Sequence, residues 1–235
     1  MNLKNKKDII FLVLAGFFIT NAIVAEMISA KLGVFGPFTA IVGLIPWPVV
    51  FLTTDIINEY YGKDVVKKVS NVTVMMIAYS FIILYISMSI KTSPGSPATE
   101  EQFNAVFGQS MWVIFGSIIA FFISQFVDIY VFWFLRNKTG AKLIWLRTTG
   151  STVISQLVDS FVVLGIGFLL PGRITIAQFW EWGFTGYLFK LLIAIGLTPV
   201  IYLLHSILDK YLGEKVSHDM IKHTAEESLE HKTDA

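Results

Sequence analysis

Residues 109–134 read QSMWVIFGSIIAFFISQFVDIYVFWF, a run of 26 positions in which Asp128 is the single charged residue. A helix needs about 20 predominantly apolar residues to cross the hydrocarbon core of a bilayer. The run therefore predicts a membrane-spanning helix. A carboxylate inside such a helix costs at least about 2.5 kcal/mol on insertion scales, so Asp128 needs a partner, water or a ligand.

The composition of the whole chain also indicates a membrane protein. Of its 235 residues, 54% are hydrophobic and 15% are charged, whereas soluble domains carry about 25% charged residues. Mean hydropathy is +0.67. The net charge of +1 gives no electrostatic footprint for nucleic acid. Without cysteine, the chain has no disulfide, thiolate chemistry or cysteine-based metal site. No histidine is predicted to be a buried ligand, because all four lie at or beyond the last apolar run: His205, His218, His223 and His231.

Six apolar runs predict an all-α polytopic membrane protein, with a transmembrane domain over residues 1–212 and a polar cytoplasmic tail over 213–235. The first run is too long for a signal peptide and is predicted to be a retained helix. The second contains Pro46 and Pro48 and is predicted to be broken or kinked, as in helices that build binding sites at the membrane midplane. The tail is predicted to be a short frayed helix or disordered. The predicted helices cover roughly 9–30, 34–54, 70–90, 109–134, 149–170 and 184–207.

Positive charges predict the orientation of these helices. If the N-terminus lies inside, 14 of the 18 lysines and arginines fall in inside segments, including Arg136 and Arg147. Three fall outside, namely Lys31, Lys91 and Arg173. Such an excess of positive charge marks the cytoplasmic side, so both termini are predicted to be cytoplasmic.

A short pattern occurs twice, as Ser124-Gln125-Phe126-Val127-Asp128 and as Ser155-Gln156-Leu157-Val158-Asp159. The two copies fall in consecutive, antiparallel helices, so they are predicted to face each other as an inverted repeat. In each copy Gln and Asp are three residues apart and share a helix face. The result is a polar seam with two amides and two carboxylates, beside which Ser155 lies. Inverted repeats that meet at a binding site are typical of transporters. The alternative is that these Gln and Ser residues only hydrogen-bond neighbouring helices.

Other polar residues also fall in or beside predicted spans. Asp55, Asn58 and Glu59 are spaced i, i+3 and i+4, so they share a face that lines the mouth of a site, unless Glu59 pairs with Lys63.

The first and sixth helices carry polar groups at similar predicted depths. Glu26, with Asn21 nearby, and Lys190 are interpreted as an ion pair that is either structural or a gate, although Lys190 alternatively snorkels outward. Trp47, beside the proline break, is a candidate to stack on a planar ligand. We expect a chamber among these polar groups.

Four groups of residues carry a family resemblance: Phe51–Asp55 with Glu59–Gly62; Ser124, Gln125 and Asp128 with Phe132–Arg136; Arg147–Ser151 with Ser155, Gln156 and Asp159; and Gly186 and Tyr187 with Lys190. Together they resemble the queuosine precursor transporter family, once called the vitamin uptake transporter family, over roughly residues 9–210. The resemblance implies a six-helix importer in the inner membrane, which is a transporter and not an enzyme. No cofactor or metal is predicted.

The implied substrates are deazaguanine precursors of the modified tRNA base queuosine: the cyano or aminomethyl base, or queuine. The implied partners are this planar base and the lipid bilayer, without direct contact to nucleic acid, and a homodimer is left open. A guanine-like edge offers adjacent N–H donors, which suit a carboxylate, and a carbonyl acceptor, which suits an amide. Gln125, Asp128, Gln156 and Asp159 are therefore expected to read the base, with Asp55 and Lys190 lining or gating the site.

Three other functions stay open on the sequence alone. The first is the substrate-binding subunit of an energy-coupling factor vitamin transporter. It would need a coupling ATPase in trans, because the chain has no GxxxxGK[ST] motif. The second is an intramembrane aspartyl protease that uses two aspartates on neighbouring helices. The third is a purely structural membrane protein. Proton coupling through Asp128 or Asp159 is a further hypothesis, since carboxylates in apolar surroundings hold protons more readily.

Overall fold

The computed structural model describes residues 5–29, 31–35, 38–108, 111–139 and 143–230. Within these ranges the chain is predominantly helical, with one β-hairpin, a 3-10 turn at Val42–Leu44 and a π-helical turn at Gly165–Leu169. The elements are α1 (Lys6–Ile28), β1 (Leu32–Phe35), β2 (Phe38–Ile41), α2 (Trp47–Tyr61), α3 (Lys63–Ser89), α4 (Glu100–Phe107), α5 (Met111–Thr139), α6 (Ile144–Leu164), α7 (Ile176–Leu212) and α8 (Glu214–Glu230).

Five helical segments in the described part of the chain are long and apolar enough to cross a membrane: Lys6–Ile28, Lys63–Ser89, Glu100–Thr139, Ile144–Leu169 and Ile176–Leu212. The prediction of an all-α, multi-pass membrane protein is therefore confirmed in class. The predicted count of six spans is not confirmed.

The predicted second span, 34–54, is wrong in its first half. Residues 32–35 and 38–41 form an antiparallel hairpin in which Leu32 pairs with Ile41, and helix α2 begins only at Trp47. Pro46 and Pro48 fix this start, because proline is tolerated in the first turn of a helix, where its missing N–H would have no partner. At 15 residues, α2 is about 22 Å long, less than the roughly 30 Å of a hydrocarbon core.

Helix α2 is the buried centre of the bundle, because Leu52–Tyr60 are all buried. It runs antiparallel to α1. Gly43, just before α2, lies so close to α1 that a Cβ there would be 2.5 Å from the Ala25 carbonyl oxygen. At the other end of α2, the Tyr61 hydroxyl donates to the Lys7 carbonyl at 2.7 Å.

One end of the bundle, which we call the basic end, carries the start of α1, the α2–α3 junction at Gly62, the end of α5, the start of α6 and helix α8. Lys6 Nζ donates to the Tyr211 carbonyl at 2.9 Å, which joins the start of α1 to the end of α7. The starts of α1 and α8 therefore lie at the same end. That this end faces the cytoplasm stays a prediction.

Helix α8 corrects the expectation of a frayed or disordered tail. Its 17 residues pack on α2 through Ser217, Met220 and Thr224, all buried and spaced three and four residues apart. That spacing is one face of a helix. The polar composition of residues 214–230 concealed this narrow contact face.

The outside of the bundle is apolar, and its interior combines hydrophobic and polar side chains. Exposed side chains on α3 include Met75, Tyr79 and Ile82, and those on α7 include Leu188 and Leu192. The buried set instead contains many hydroxyl, amide and charged groups. An apolar exterior with so many buried polar groups suits a protein solvated by lipid.

Candidate functional site

Eight residues on one face of α6 form a feature that we call the polar stripe: Arg147, Thr148, Ser151, Thr152, Ser155, Gln156, Asp159 and Ser160. All of them are buried except Asp159, whose side chain is 16% exposed. These residues are alternately one and three positions apart along the helix, and from Arg147 to Ser160 the stripe extends for about 20 Å. Ile154 and Leu157 lie on the exposed side of the same helix. Helix α6 therefore presents its hydrophilic face to the protein interior.

The two repeated segments contact each other in a reciprocal way. Ser155 of α6 donates to the Asp128 carboxylate of α5 at 3.0 Å. Ser124 of α5 donates to the Asp159 carboxylate of α6 at 3.4 Å. Each serine thus bonds the aspartate of the other copy, as two antiparallel copies that face each other should do. The predicted inverted contact between the copies is confirmed for these residues.

Close packing of α5 and α6 makes this contact possible. A Cβ on Gly116 would lie 2.9 Å from the backbone nitrogen of Gly167, so the two segments approach without an intervening side chain. Small residues at helix interfaces are how membrane helices bring their backbones together. The hydroxyl–carboxylate bonds occur within this tightly packed pair.

Lys190 of α7 pairs with Asp159, with Nζ 2.5 Å from Oδ2. The expected partner of Lys190 was Glu26, so that prediction is wrong. Glu26 is buried on α1, within hydrogen-bonding reach of Ser117 and close enough to Asp159 and Lys190 for their charges to act on it. The polar groups of α1, α5, α6 and α7 therefore meet in one cluster, away from the basic end.

The two glutamines differ in their surroundings. Gln125 donates from Nε2 to the Thr54 hydroxyl at 3.0 Å, which joins α5 to α2. Gln156 is buried on the polar stripe.

Asn21 and Trp47 lie apart from the polar groups that meet around the stripe. Asn21 Nδ2 donates to the Phe17 carbonyl of its own helix. The Trp47 ring stacks on Phe51 at 5.8 Å and contacts Phe121 at 5.4 Å, so it belongs to the aromatic core.

Asp55 lines a narrow cleft where α2, α6 and α7 meet. Its carboxylate is 3% exposed, and Oδ1 has no hydrogen-bond partner in the described structure. The cleft has room for about one water molecule. The cleft is not the chamber that we expected among the polar groups, because Asp55 is the one predicted site residue among the described residues of its lining. Its walls are Phe51 and Leu52 on α2, Thr148, Thr149 and Thr152 on α6, and Leu197 and Ile201 on α7.

The basic end holds an ion cluster that the sequence analysis missed. Arg147 donates to both carboxylate oxygens of Glu59, from Nε at 3.0 Å and from Nη2 at 2.6 Å. Arg136 Nη1 lies 3.8 Å from Glu59, and its Nη2 donates to the Ile221 carbonyl of α8 at 2.7 Å. Glu59 therefore pairs with Arg147 and not with Lys63. The sequence did contain a signal for the position of Arg147. Arg147, Ser151, Ser155 and Asp159 follow one another at intervals of four residues, which places Arg147 in line with the polar residues of α6.

A second network at the basic end contains His205, which is buried. Its Nδ1 lies 3.1 Å from the Tyr60 hydroxyl, which in turn donates to Asp209 at 3.3 Å. Ser217 of α8 bonds both Tyr60 and Asp209. Burial raises the pKa of Tyr60 above its ordinary value, so its hydroxyl keeps the proton that it donates. The network ties α7 and α8 to α2.

Comparison with known proteins identifies relatives of this chain. A family model described as "Putative vitamin uptake transporter" matches residues 41–204. A protein of Bacillus subtilis (strain 168), named "Probable queuosine precursor transporter", is 31% identical over 137 residues, which cover 56% of this chain and 57% of the relative. A protein of Haemophilus influenzae with the same name is 26% identical over 160 residues, covering 65% of this chain and 63% of the relative. The matches thus span less than two thirds of either relative. No solved structure matches the chain.

Proposed function

Because this chain belongs to the vitamin uptake transporter family, we propose that it is a carrier that imports queuosine precursors across the inner membrane. The names of the two relatives supply this substrate class. The proposed cargo is a 7-deazaguanine base: the cyano or aminomethyl form, or queuine.

The observation that carries the proposal is the polar stripe inside an apolar exterior. A structural helix in lipid has no need of an aspartate and an arginine on one buried face, since each charge is costly there. The stripe runs from Arg147 at the basic end to Asp159 near Lys190. We propose that it forms one wall of the substrate path. Gln125 and Asp128 of α5 contribute to the facing wall.

The chemistry of a deazaguanine suits this path. Its edge offers adjacent N–H donors and one carbonyl acceptor, and its ring system is flat. Buried carboxylates accept two donors, while threonine, serine and glutamine side chains can donate to the carbonyl. An aromatic wall suits the flat ring.

Uptake into liposomes tests the proposal directly. Purified protein is reconstituted alone, and entry of radiolabelled aminomethyl-deazaguanine is followed against protein-free liposomes and against an unrelated vitamin. We expect saturable uptake of the deazaguanine without ATP or added proteins.

Two results contradict the proposal in different ways. Uptake that appears only with an ATPase and its coupling protein would assign the chain to the energy-coupling factor class. Neither binding nor uptake of any deazaguanine would favour a structural membrane protein.

A further inference from the structure

We infer that Asp55 is the carboxylate that reads the N–H edge of the base, in the cleft between α2, α6 and α7. The inference rests on the proposed function and assigns its recognition site. It differs from the expectation that Asp128 and Asp159 read the base.

The hydrogen-bond partners of the buried carboxylates single out Asp55. Asp128 accepts from Ser155, and Asp159 is paired with Lys190. Glu59 is held at both oxygens by Arg147. Asp55 Oδ1 has no partner within the described residues. A buried acceptor without a donor is costly, and a ligand that supplies N–H groups removes that cost.

The other walls of the cleft offer groups that match the remaining faces of such a base. Thr148, Thr149 and Thr152 form the α6 side of the cleft. Thr148 donates its hydroxyl proton to the Ile144 carbonyl and Thr149 is bonded to Thr198, so of these three residues Thr152 is the one whose hydroxyl can donate to a ring carbonyl. Phe51 brings an aromatic ring to the α2 side, which suits a flat heterocycle. A carboxylate, a hydroxyl and an aromatic ring thus converge on one cleft.

The cleft must widen to admit a base, and α7 is the wall that can move. Its two lining residues, Leu197 and Ile201, flank Pro199, which lies inside the helix. An internal proline removes one helical hydrogen bond and makes the helix easy to bend there. Helix α7 is tied to the bundle on either side of this point, through Lys190 to Asp159 and through His205 to Tyr60. A bend at Pro199 therefore opens the cleft between two fixed ends.

The inference is tested by measuring how tightly two ligands bind to detergent-purified protein. The two ligands differ in one hydrogen-bond donor group. They are aminomethyl-deazaguanine and its analogue without the 2-amino group. We expect the wild type to bind the analogue about tenfold to a hundredfold more weakly, because a hydrogen bond to a buried carboxylate is lost.

In Asp55→Asn the ratio of the two affinities should fall to less than about threefold, since the amide has an NH2 donor in place of the second carboxylate oxygen and cannot accept from two adjacent N–H groups with two oxygens. The control is Asp209→Asn, which removes a carboxylate of the basic end and should keep the wild-type ratio.

The outcomes separate this inference from the proposed function. A ratio that persists in Asp55→Asn but disappears in Asp128→Asn overturns the inference and leaves the function standing. Equal wild-type affinities for the two ligands overturn it as well. Absence of any deazaguanine binding by the wild type overturns both.

Stability and chemical labelling provide independent readouts. Asp55→Asn removes a buried carboxyl group whose Oδ1 has no donor in the described structure, so the thermal midpoint should stay or rise, whereas a structural Asp55 would lower it and leave the ratio unchanged. If the variant fails to fold, a hydrophobic carbodiimide is applied to the wild type instead. Saturating aminomethyl-deazaguanine should protect Asp55 from modification at least severalfold, and unprotected labelling overturns the inference.

Discussion

Arg147 and Glu59 form a two-pronged ion pair in which the side chains are 0% and 2% exposed. Removing one partner leaves the other charge buried without its counter-ion, which typically costs about 3–5 kcal/mol. We therefore expect Glu59→Gln to lower the free energy of unfolding by about that amount. Denaturant unfolding in detergent micelles measures it.

The exposed ion pair of Lys222 and Glu226 provides the matched control. An ion pair in solvent contributes only about 0–1 kcal/mol to the free energy of unfolding. Glu226→Gln should therefore have little effect on stability. The double variant Glu59→Gln, Arg147→Met should recover part of the loss, since Arg147 is then no longer stranded, although buried Arg136 still loses the carboxylate 3.8 Å away. Equal effects of Glu59→Gln and Glu226→Gln would contradict a buried pair.

Variants of the pair Asp159 and Lys190 should distinguish a role in folding from a role in transport. We expect Lys190→Met to destabilise the protein, because Asp159 then keeps only the bond from Ser124. The double variant Asp159→Asn, Lys190→Met should fold, with a thermal midpoint close to that of the wild type. Its uptake should still fall at least about tenfold, as expected for a gate.

Full uptake by that folded double variant would show that the pair is structural. A proton gradient applied to the same liposomes tests coupling: uptake that depends on the gradient in the wild type and not in the double variant supports a role for Asp159. Uptake indifferent to the gradient in both would rule out proton coupling through this group.

The two serine–aspartate contacts between the repeats should differ in their contribution to stability. Ser155→Ala removes the 3.0 Å hydrogen bond to buried Asp128, which costs about 1–3 kcal/mol and less if Ser151, also within reach of this carboxyl group, replaces the donor. Ser124→Ala should cost less, because its bond is longer at 3.4 Å and Asp159 keeps Lys190. Thermal unfolding of the two variants side by side measures the difference. Equal losses would mean that the surrounding packing, and not the hydrogen bond, determines the cost.

The sequence predicted correctly the helices that coincide with long apolar runs. The predicted helix 109–134 corresponds to α5, and the repeated segments face each other, because a long apolar run has few alternatives in lipid. The hairpin at 32–41 was missed because its residues are as apolar as a helix. For strands and helices of equal hydropathy, only the flanking glycines and prolines distinguish the two.

The contacts of the charged residues show a second limit of prediction from the sequence. Arg136 and Arg147 were counted as cytoplasmic charges, which fits their position at the basic end, but counting does not reveal which face of a helix they occupy. Their contacts with Glu59 and α8 depend on residues 77 to 88 positions away in sequence. One sequence alone gives no means of pairing such distant groups. Asp55 was singled out by its spacing from Asn58 and Glu59, but that its Oδ1 lacks a partner is visible only in three dimensions.

The close approach of α5 to the segment after α6 should tolerate no added methyl group. A Cβ on Gly116 would meet the Gly167 backbone nitrogen at 2.9 Å, and backbone cannot move aside as a flexible side chain can. We expect Gly116→Ala to cost about 1–3 kcal/mol of unfolding free energy through overpacking. Gly186→Ala on α7 is the control, since nothing lies within 4 Å of its added Cβ. That change should be neutral or stabilise by about 0.5–1 kcal/mol, as alanine is the better helix former. If thermal unfolding gives the same midpoint for both variants, the two segments are not in the contact seen here.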